Sequence, residues 1–293
     1  MERSRQVVGG LVLIVAGAVY VVAGTGPQPL TLEPTRTSMP QNVSYTVSAE
    51  LPSVPERLPV YAKGSMPFSQ EQFVAMGKRL GIGSNVVQGY EQGEKRMYGN
   101  GTSLLFSEWH LKYQPSFSRR PKDLPSDQVA KQAARRFLQR HGLLFDTARF
   151  EDVVKGGFVE SVNTSSGETL SRHATYKAVN YGRTLQGYPI KGMHGIHVLI
   201  GENASIIGAA IDWPTFDRTG TVAVKQPQQA ITQLRQGDAI VGRIDCADVT
   251  ITDVSLTYWN SAANDERVEP VYRFTGTCAG EQGFVATLPA RAS

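Results

Sequence analysis

Two small groups of titratable residues could support chemistry by their type and spacing. His194 and His197 form an H-x-x-H pattern, which would suggest a metal site if it lay on a helix. The pattern lies instead in a stretch of strand type, where positions three apart point to opposite faces, so ordinary strand histidines are predicted. Glu108 and His110 would share one strand face and could form an acid–base pair, although a solvated strand face is the favoured interpretation.

The chain carries no recognisable catalytic or cofactor motif. It contains no G-x-S-x-G, no H-E-x-x-H, no P-loop and no G-x-G-x-x-G, and no Cys/His cluster has the spacing of zinc ligands. We therefore expect no enzyme activity, no catalytic residues, no metal site and no cofactor.

Basic residues are concentrated between positions 119 and 140. The candidates for a patch that binds an anionic partner are Arg119, Arg120, Lys131, Arg135, Arg136 and Arg140. Such a surface could hold an acidic polymer, lipid headgroups or an acidic protein patch. A solvated helix face with partly buried aliphatic stems is the alternative. Because the formal net charge is only +4, a nucleic-acid partner is not expected.

The chain has two cysteines, Cys246 and Cys278. A disulfide between them is the natural interpretation if the compartment is oxidising. In the chain-entropy model this crosslink would stabilise the fold by about 3–4 kcal/mol. Two unrelated buried thiols are the alternative.

The N-terminus indicates export. Arg3 and Arg5 precede an uncharged run over residues 7–24, which as a helix would span about 27 Å, close to the thickness of a bilayer core. The positive charges predict a single-pass membrane anchor with a cytoplasmic N-terminus and the bulk outside the cytoplasm. A signal peptide cleaved before Thr25 is the alternative. Seven prolines between positions 27 and 59 predict a semi-rigid stalk, or otherwise a disordered linker.

The rest of the chain reads as three cycles of one helix followed by strands. Helix starts are expected at Ser69, which forms a capping box with Gln72, at Ser126, and at Pro227. The Asn100-Gly101 pair predicts a hairpin turn. The expected fold is α+β, with a single N-terminal transmembrane helix followed by repeated small modules of one helix packed on an antiparallel sheet. The domains would be anchor or signal peptide 1–25, stalk 26–59, and modules 60–120, 121–220 and 221–293, the last with the disulfide.

Three stretches resemble the PepSY-like domains of exported bacterial proteins, including the YycI-type membrane-anchored regulators. They are SDQVAKQAARRFLQRHG (126–142), TYKAVNYGRTLQGYPIKGMHGIHVLIGENASIIG (175–208) and LTYWNSAANDERVEPVYRF (256–274). The second is similar to a family hairpin with following strands, and the third to a closing strand pair. The resemblance implies a domain that binds, inhibits or modulates proteins outside the membrane, often peptidases or sensor kinases. It transfers no catalytic residue.

The leading functional hypothesis is a membrane-anchored, extracytoplasmic, non-enzymatic regulatory or binding protein that acts on an envelope protein partner. A structural or assembly subunit of an envelope complex and an exported enzyme with scattered active-site residues are the alternatives. Four Asn-x-Ser/Thr sequons, at Asn42, Asn100, Asn163 and Asn203, would matter only in a host that glycosylates exported proteins.

Overall fold

The computed structural model describes residues 13–15, 18–21, 43–83, 85–88, 93–116, 123–163, 169–237, 239–241, 247–260, 267–278 and 282–292. In chain order, the first elements are β1 (Leu13–Val15), β2 (Ala18–Val21), β3 (Ser44–Val47), β4 (Arg57–Lys63), α1 (Gln70–Arg79), β5 (Val87–Gln88), β6 (Lys95–Gly99), β7 (Thr102–Phe106), β8 (His110–Gln114), α2 (Asp127–His141), β9 (Arg149–Gly156), β10 (Val159–Asn163) and β11 (Thr169–His173). They continue with β12 (Tyr176–Gly182), β13 (Thr184–Leu185), β14 (Tyr188–Gly192), β15 (Gly195–Ile200), a 3-10 turn (Glu202–Ala204), β16 (Ile206–Asp212), β17 (Phe216–Ala223), α3 (Pro227–Gln236), β18 (Ile240–Val241), β19 (Asp248–Asn260), β20 (Arg267–Cys278) and β21 (Gln282–Pro289).

Two large sheets dominate this part of the chain. The eight-stranded sheet has the order β5-β6-β7-β8-β16-β15-β12-β9. The nine-stranded sheet runs β13-β14-β19-β20-β21-β18 and also includes β3, β4 and β17. A smaller four-stranded sheet has the order β1-β2-β10-β11.

Each large sheet has its own hydrophobic core. Phe73 of α1 and Leu138 of α2 are buried in one cluster with strand residues such as Leu111 of the eight-stranded sheet. Leu234 of α3 is buried with Phe274 and other residues of the nine-stranded sheet. Helices α1 and α2 therefore cover one face of the eight-stranded sheet, and α3 packs on the nine-stranded sheet.

The local helix and turn signals are confirmed. Ser69 and Gln72 form both hydrogen bonds of the capping box at the start of α1. The Ser126 side chain caps α2, and Pro227 is the first residue of α3. Asn100 has a positive φ of 51° in the tight turn between β6 and β7, as the Asn-Gly pair predicts.

The predicted α+β fold of repeated modules is wrong. The described residues are mostly strand, and the strands that follow α1 join those that follow α2 in one continuous sheet. The ladder between β8 and β16, in which Leu111 lies opposite Ile211, joins the two groups of strands into this sheet. The physical reason is burial, because a helix with three or four short strands cannot cover its own apolar face, whereas two such units share one core.

The predicted N-terminal transmembrane helix is also wrong in this structure. Residues 13–15 and 18–21 form β1 and β2, and β2 pairs with β10. Within the described ranges, no helix is both long and apolar enough to cross a bilayer. The run is rich in valine and interrupted by glycine, a composition that favours strand over helix.

Part of the predicted stalk is paired into a sheet. β3 pairs in parallel with β19, and β4 pairs with β17 and β20. Residues 26–42 lie outside the described part of the chain. The chain before α1 therefore contributes two strands to the nine-stranded sheet.

Candidate functional site: a trough on the eight-stranded sheet

The face of the eight-stranded sheet that points away from α1 and α2 carries a concave site, here called the open-face trough. Successive side chains of a strand point to opposite faces, so the residues between core positions line this trough. Its cavity measures about 350 Å³, within the usual range of small-ligand sites. The residues that line it include Lys112, Ala178, Asn180, His197, Leu199 and Gly208.

One row of side chains crosses five adjacent strands on this face. In register order it contains Lys112 of β8, Ala210 of β16, His197 of β15, Asn180 of β12 and Asp152 of β9. These positions are separated by up to about a hundred residues along the chain. Only the pairing of the strands brings them into one line.

The acidic end of this row is a hydrogen-bonded relay. The Asn180 amide nitrogen donates to Asp152 Oδ1 at 2.6 Å, and Asn180 Oδ1 lies 2.8 Å from His197 Nδ1. Because the amide oxygen can only accept, Nδ1 carries the proton and Nε2 keeps its lone pair. Burial lowers the pKa of His197, with nearby Asp212 opposing this shift. The trough therefore contains a neutral imidazole that can accept a hydrogen bond.

A second, apolar row runs beside the first. Gly208 lies opposite Leu199, Leu199 opposite Ala178, and Ala178 opposite Val154. The small residues give the trough its depth. A Cβ atom on Gly208 would lie 3.1 Å from Leu199 Cδ1, so any larger side chain at this position would make the trough shallower. The middle of the trough thus offers an apolar surface between polar ends.

The nine-stranded sheet closes one end of the trough. Lys191 of β14 donates to Glu151 Oε1 of β9 at 3.1 Å, which links the two sheets across the site. The Glu151 carboxylate lies over Gly182, where a Cβ atom would come within 2.4 Å of it. Glycine at this position therefore makes room for the link.

An aromatic and cationic cluster lies at the junction of the two sheets. His194 stacks on Trp213 with ring centroids 4.9 Å apart, and the Arg183 guanidinium lies 4.7 Å from the Trp213 centroid and 4.4 Å from that of Phe216. Burial lowers the pKa of Arg183 to about 10. Burial, and then the charge of Arg183, holds the pKa of His194 well below its usual value. Neither ring nitrogen of His194 has a hydrogen-bond partner among the described residues.

The prediction that His194 and His197 face opposite sides is wrong, because both line the open-face trough. His194 precedes β15, which begins at Gly195 with φ of 134°, so strand alternation does not apply to it. Within the described ranges, no group of three or more His, Cys, Asp or Glu residues could hold a metal ion.

The candidate acid–base pair is arranged differently from the sequence pattern. His110 Nδ1 lies 2.7 Å from Asp212 Oδ1, which is its cross-strand neighbour on β16. Glu108 is exposed and precedes β8. The carboxylate that contacts His110 is therefore supplied by a strand that is distant in sequence.

The structure divides the basic cluster on α2. Lys131 and Arg135 line a groove of about 600 Å³ beside Phe150, with Lys131 Nζ 3.6 Å from the Phe150 ring centroid. Arg136 and Arg140 are exposed on the other flank of the helix, as 3.6 residues per turn requires. Arg119 and Arg120 lie outside the described residues. The anionic-partner patch stays a prediction.

The remaining sequence candidates lie on turns, at strand ends or outside the described residues. Cys278 is buried at the end of β20, whereas Cys246 lies outside the described residues, so the disulfide stays a prediction. Asn100 and Asn203 lie in turns and Asn163 ends β10. Asn42 lies outside the described part.

Lys112, Asp152 and Asn180 were not predicted as site residues from the sequence. Each stands at an alternating polar position of a strand, which is the pattern of any solvated strand face. The only available signal was the occurrence of small residues, such as Ala178 and Gly208, at the same alternating positions of neighbouring strands. Without the register, this signal does not identify a shared site.

Comparisons with known proteins identify no family. No protein-family model matches the chain, and no curated protein sequence matches it. Two similar solved structures are an uncharacterized protein from Eubacterium rectale and the C-terminal domain of YpeB from Bacillus megaterium. The first is 10% identical with a TM-score of 0.46, covering 89% of this chain and 96% of the other. The second is 12% identical with a TM-score of 0.40, covering 78% and 95%.

Both are loose structural likenesses, and the PepSY-like resemblance stays a prediction from the sequence. TM-scores below 0.5 carry no argument about a shared function. The functional proposal below therefore depends on this chain's own geometry.

Proposed function

We propose that this chain is a non-enzymatic binding protein that acts outside the cytoplasm and regulates a protein partner of the cell envelope. The observation that carries this proposal is the free edge of the eight-stranded sheet. Three ends of the two large sheets are two-residue strands, β5, β13 and β18, within the part of the chain that the structure describes. The remaining end of the eight-stranded sheet, β9, has eight residues, as does β17, which pairs with β4 at the margin of the nine-stranded sheet.

A long free edge is a template for strand addition. Its unpaired N–H and C=O groups can pair with an extended segment of another protein, as many domains do when they recognise peptides. Short edge strands, in contrast, offer too few hydrogen bonds for such pairing. At the end of β17 the Ala292 N–H already donates to the Ala223 carbonyl oxygen, so within the described part of the chain β9 is the long edge that is more open to docking.

Exposed apolar side chains continue along the chain from β9. Phe150, Val154, Phe158 and Leu170 are 38–56% exposed and belong to β9, to the connection between β9 and β10, or to β11 of the adjoining β10–β11 hairpin. The hairpin is joined to β9 because the Thr175 N–H donates to the carbonyl oxygens of Gly156 and Gly157. Apolar surface next to a free edge would add contact area to strand pairing.

An exported enzyme is the alternative that the open-face trough supports. Its neutral His197, oriented by Asn180 and Asp152, could accept a proton from a substrate. Among the described residues, the trough lining includes tyrosines but no serine, threonine or cysteine, so it supplies no aliphatic hydroxyl or thiol nucleophile beside this base. Binding is therefore the function that the geometry favours.

Site-specific photocrosslinking in cells tests the proposed docking edge. A photoreactive amino acid at Leu170 is expected to crosslink one envelope protein repeatedly, because Leu170 is the most exposed of the described apolar side chains in the hairpin that follows β9. The same probe at Val129, which is 42% exposed on α2, is the matched control. A Phe150→Ser change should abolish the Leu170 crosslink. Equal crosslinking from positions 170 and 129, or none from 170, would contradict the proposal.

A second expected result concerns location. We propose that the protein lies outside the cytoplasm, so protease added from outside the cytoplasm should cleave it in intact cells. In that setting Cys246 and Cys278 should form a disulfide, and alkylation followed by mass spectrometry should label neither thiol before reduction. Recovery from the cytosol with both thiols labelled would contradict the proposed location.

A further inference from the structure

We propose that the open-face trough binds a short peptide with free termini and small apolar side chains. This inference is independent of the proposed docking edge, because it uses the face of the sheet and not the outer side of β9. Three features of the trough indicate such a peptide: opposite charges at its two ends, an apolar surface between these ends, and the distance from one end to the other.

The basic end of the trough is an available ammonium group. Lys112 is half-buried on β8, and its amino group contacts no hydrogen-bond or ion-pair partner among the described residues. Gln114, two positions further along the same strand face, also lines the cavity. A half-buried cation without a partner favours an anionic ligand group. A peptide carboxylate bound to Lys112 could also accept a hydrogen bond from the side-chain amide of Gln114.

The acidic end lies four strands away, on β9. Glu151 lines the cavity and engages Lys191 through one carboxylate oxygen, while Asp152 accepts from Asn180. An ionised carboxylate can accept several hydrogen bonds, so both groups retain acceptor capacity for an ammonium group. The opposite charges at the two ends would orient a peptide with its carboxylate at β8 and its amino group at β9.

The surface between the ends suits a peptide backbone with small side chains. Gly208, Leu199 and Ala178 form an apolar floor, and the small residues leave room above it. His197 stands beside this floor with Nε2 available as an acceptor, which matches a peptide N–H. Because this imidazole is neutral, it adds no charge to the middle of the trough. The charged groups therefore lie at the two ends.

The length of the trough selects the size of the peptide. Four strand spacings of about 4.8 Å separate Lys112 from Asp152, or about 19 Å between their Cα atoms. After the inward reach of the lysine side chain, about 13 Å remain, which corresponds to about four extended residues. The cavity volume of about 350 Å³ is compatible with a ligand of this size.

Calorimetric titration of the full-length chain with tetra-alanine tests the proposal. We expect saturable binding that weakens about tenfold when the peptide is amidated at its C-terminus and about tenfold when it is acetylated at its N-terminus, since each change removes one charge-assisted contact. The Lys112→Met variant should bind free and amidated peptide equally weakly. The Glu151→Gln/Asp152→Asn variant should bind free and acetylated peptide equally weakly.

Lys78→Met is the matched control, because Lys78 is exposed on α1, on the other side of the sheet. It should bind tetra-alanine like the unmodified protein. No saturable binding at up to about 10 mM peptide would overturn the proposal. Equal affinity for the free and the doubly blocked peptide would overturn it as well. Neither result would affect the photocrosslinks expected at Leu170, so the two proposals can fail separately.

Discussion

Replacing Trp213 by alanine is expected to lower the free energy of unfolding by about 3–5 kcal/mol. Trp213 is 1% exposed and lies between β16 of the eight-stranded sheet and β17 of the nine-stranded sheet. Its ring stacks on Phe145, with centroids 5.3 Å apart, and on His194. Truncation would leave a cavity at the junction of the two sheets and would remove the aromatic face beneath the buried Arg183 guanidinium.

Chemical denaturation measures this effect. Trp213→Phe should retain much of the stacking surface and lose clearly less stability than the alanine variant. Trp109→Ala is a matched control, because Trp109 is only half-buried and its ring contacts the Lys63 ammonium 4.3 Å away. A Trp213→Ala protein within about 1 kcal/mol of the unmodified protein would show that the junction does not depend on this ring.

The second large effect is a loss of stability in acid that depends on His194. The pKa of His194 is depressed in the folded state, so the unfolded chain binds its proton first as the pH falls below 6.5. Stability is therefore fully present above pH 6.5. It should fall by about 1.4 kcal/mol per pH unit below that value until the folded-state pKa is reached. The groups that face this imidazole are Arg183, His197, Lys191 and Lys63, and the cationic ones oppose its protonation.

Two other histidines contribute to the same acid dependence. Burial, followed by the charges of Arg79 and Arg140, lowers the pKa of His141 to about 4, and burial lowers the pKa of His197. Denaturation midpoints measured between pH 7 and pH 4.5 should thus fall steeply in the unmodified protein and less steeply in His194→Phe. His173→Phe, which changes an exposed histidine, is the control. Identical pH profiles for His194→Phe and the unmodified protein would contradict the role assigned to His194.

Local elements could be predicted because their causes are local. The side chain of Ser69 reaches the backbone three residues later, and Asn100 tolerates the positive φ that its turn requires. The periodicity of α2, with Ala130, Ala134 and Leu138 buried, likewise depends only on helical geometry. These features need no knowledge of strand pairing.

The fold class could not be predicted because chain order does not determine which strands pair. The three helices suggested three modules, but β8 pairs with β16, about a hundred residues later in the chain. In the same way β3 and β4, expected in a stalk, join the nine-stranded sheet beside β19 and β20. Such contacts depend on the total burial of apolar surface and not on any local pattern.

The sequence by itself determined the helix starts, the hairpin turn and the alternation of buried and exposed positions, because short-range sterics and hydrogen bonds decide these. Only the tertiary structure decided the candidate site. Lys112, His197, Asn180 and Asp152 are ordinary polar strand residues until the register of five strands sets them in one row. A shift of one residue in any ladder would turn one of these side chains toward the helices, since alternate residues face opposite sides of a sheet.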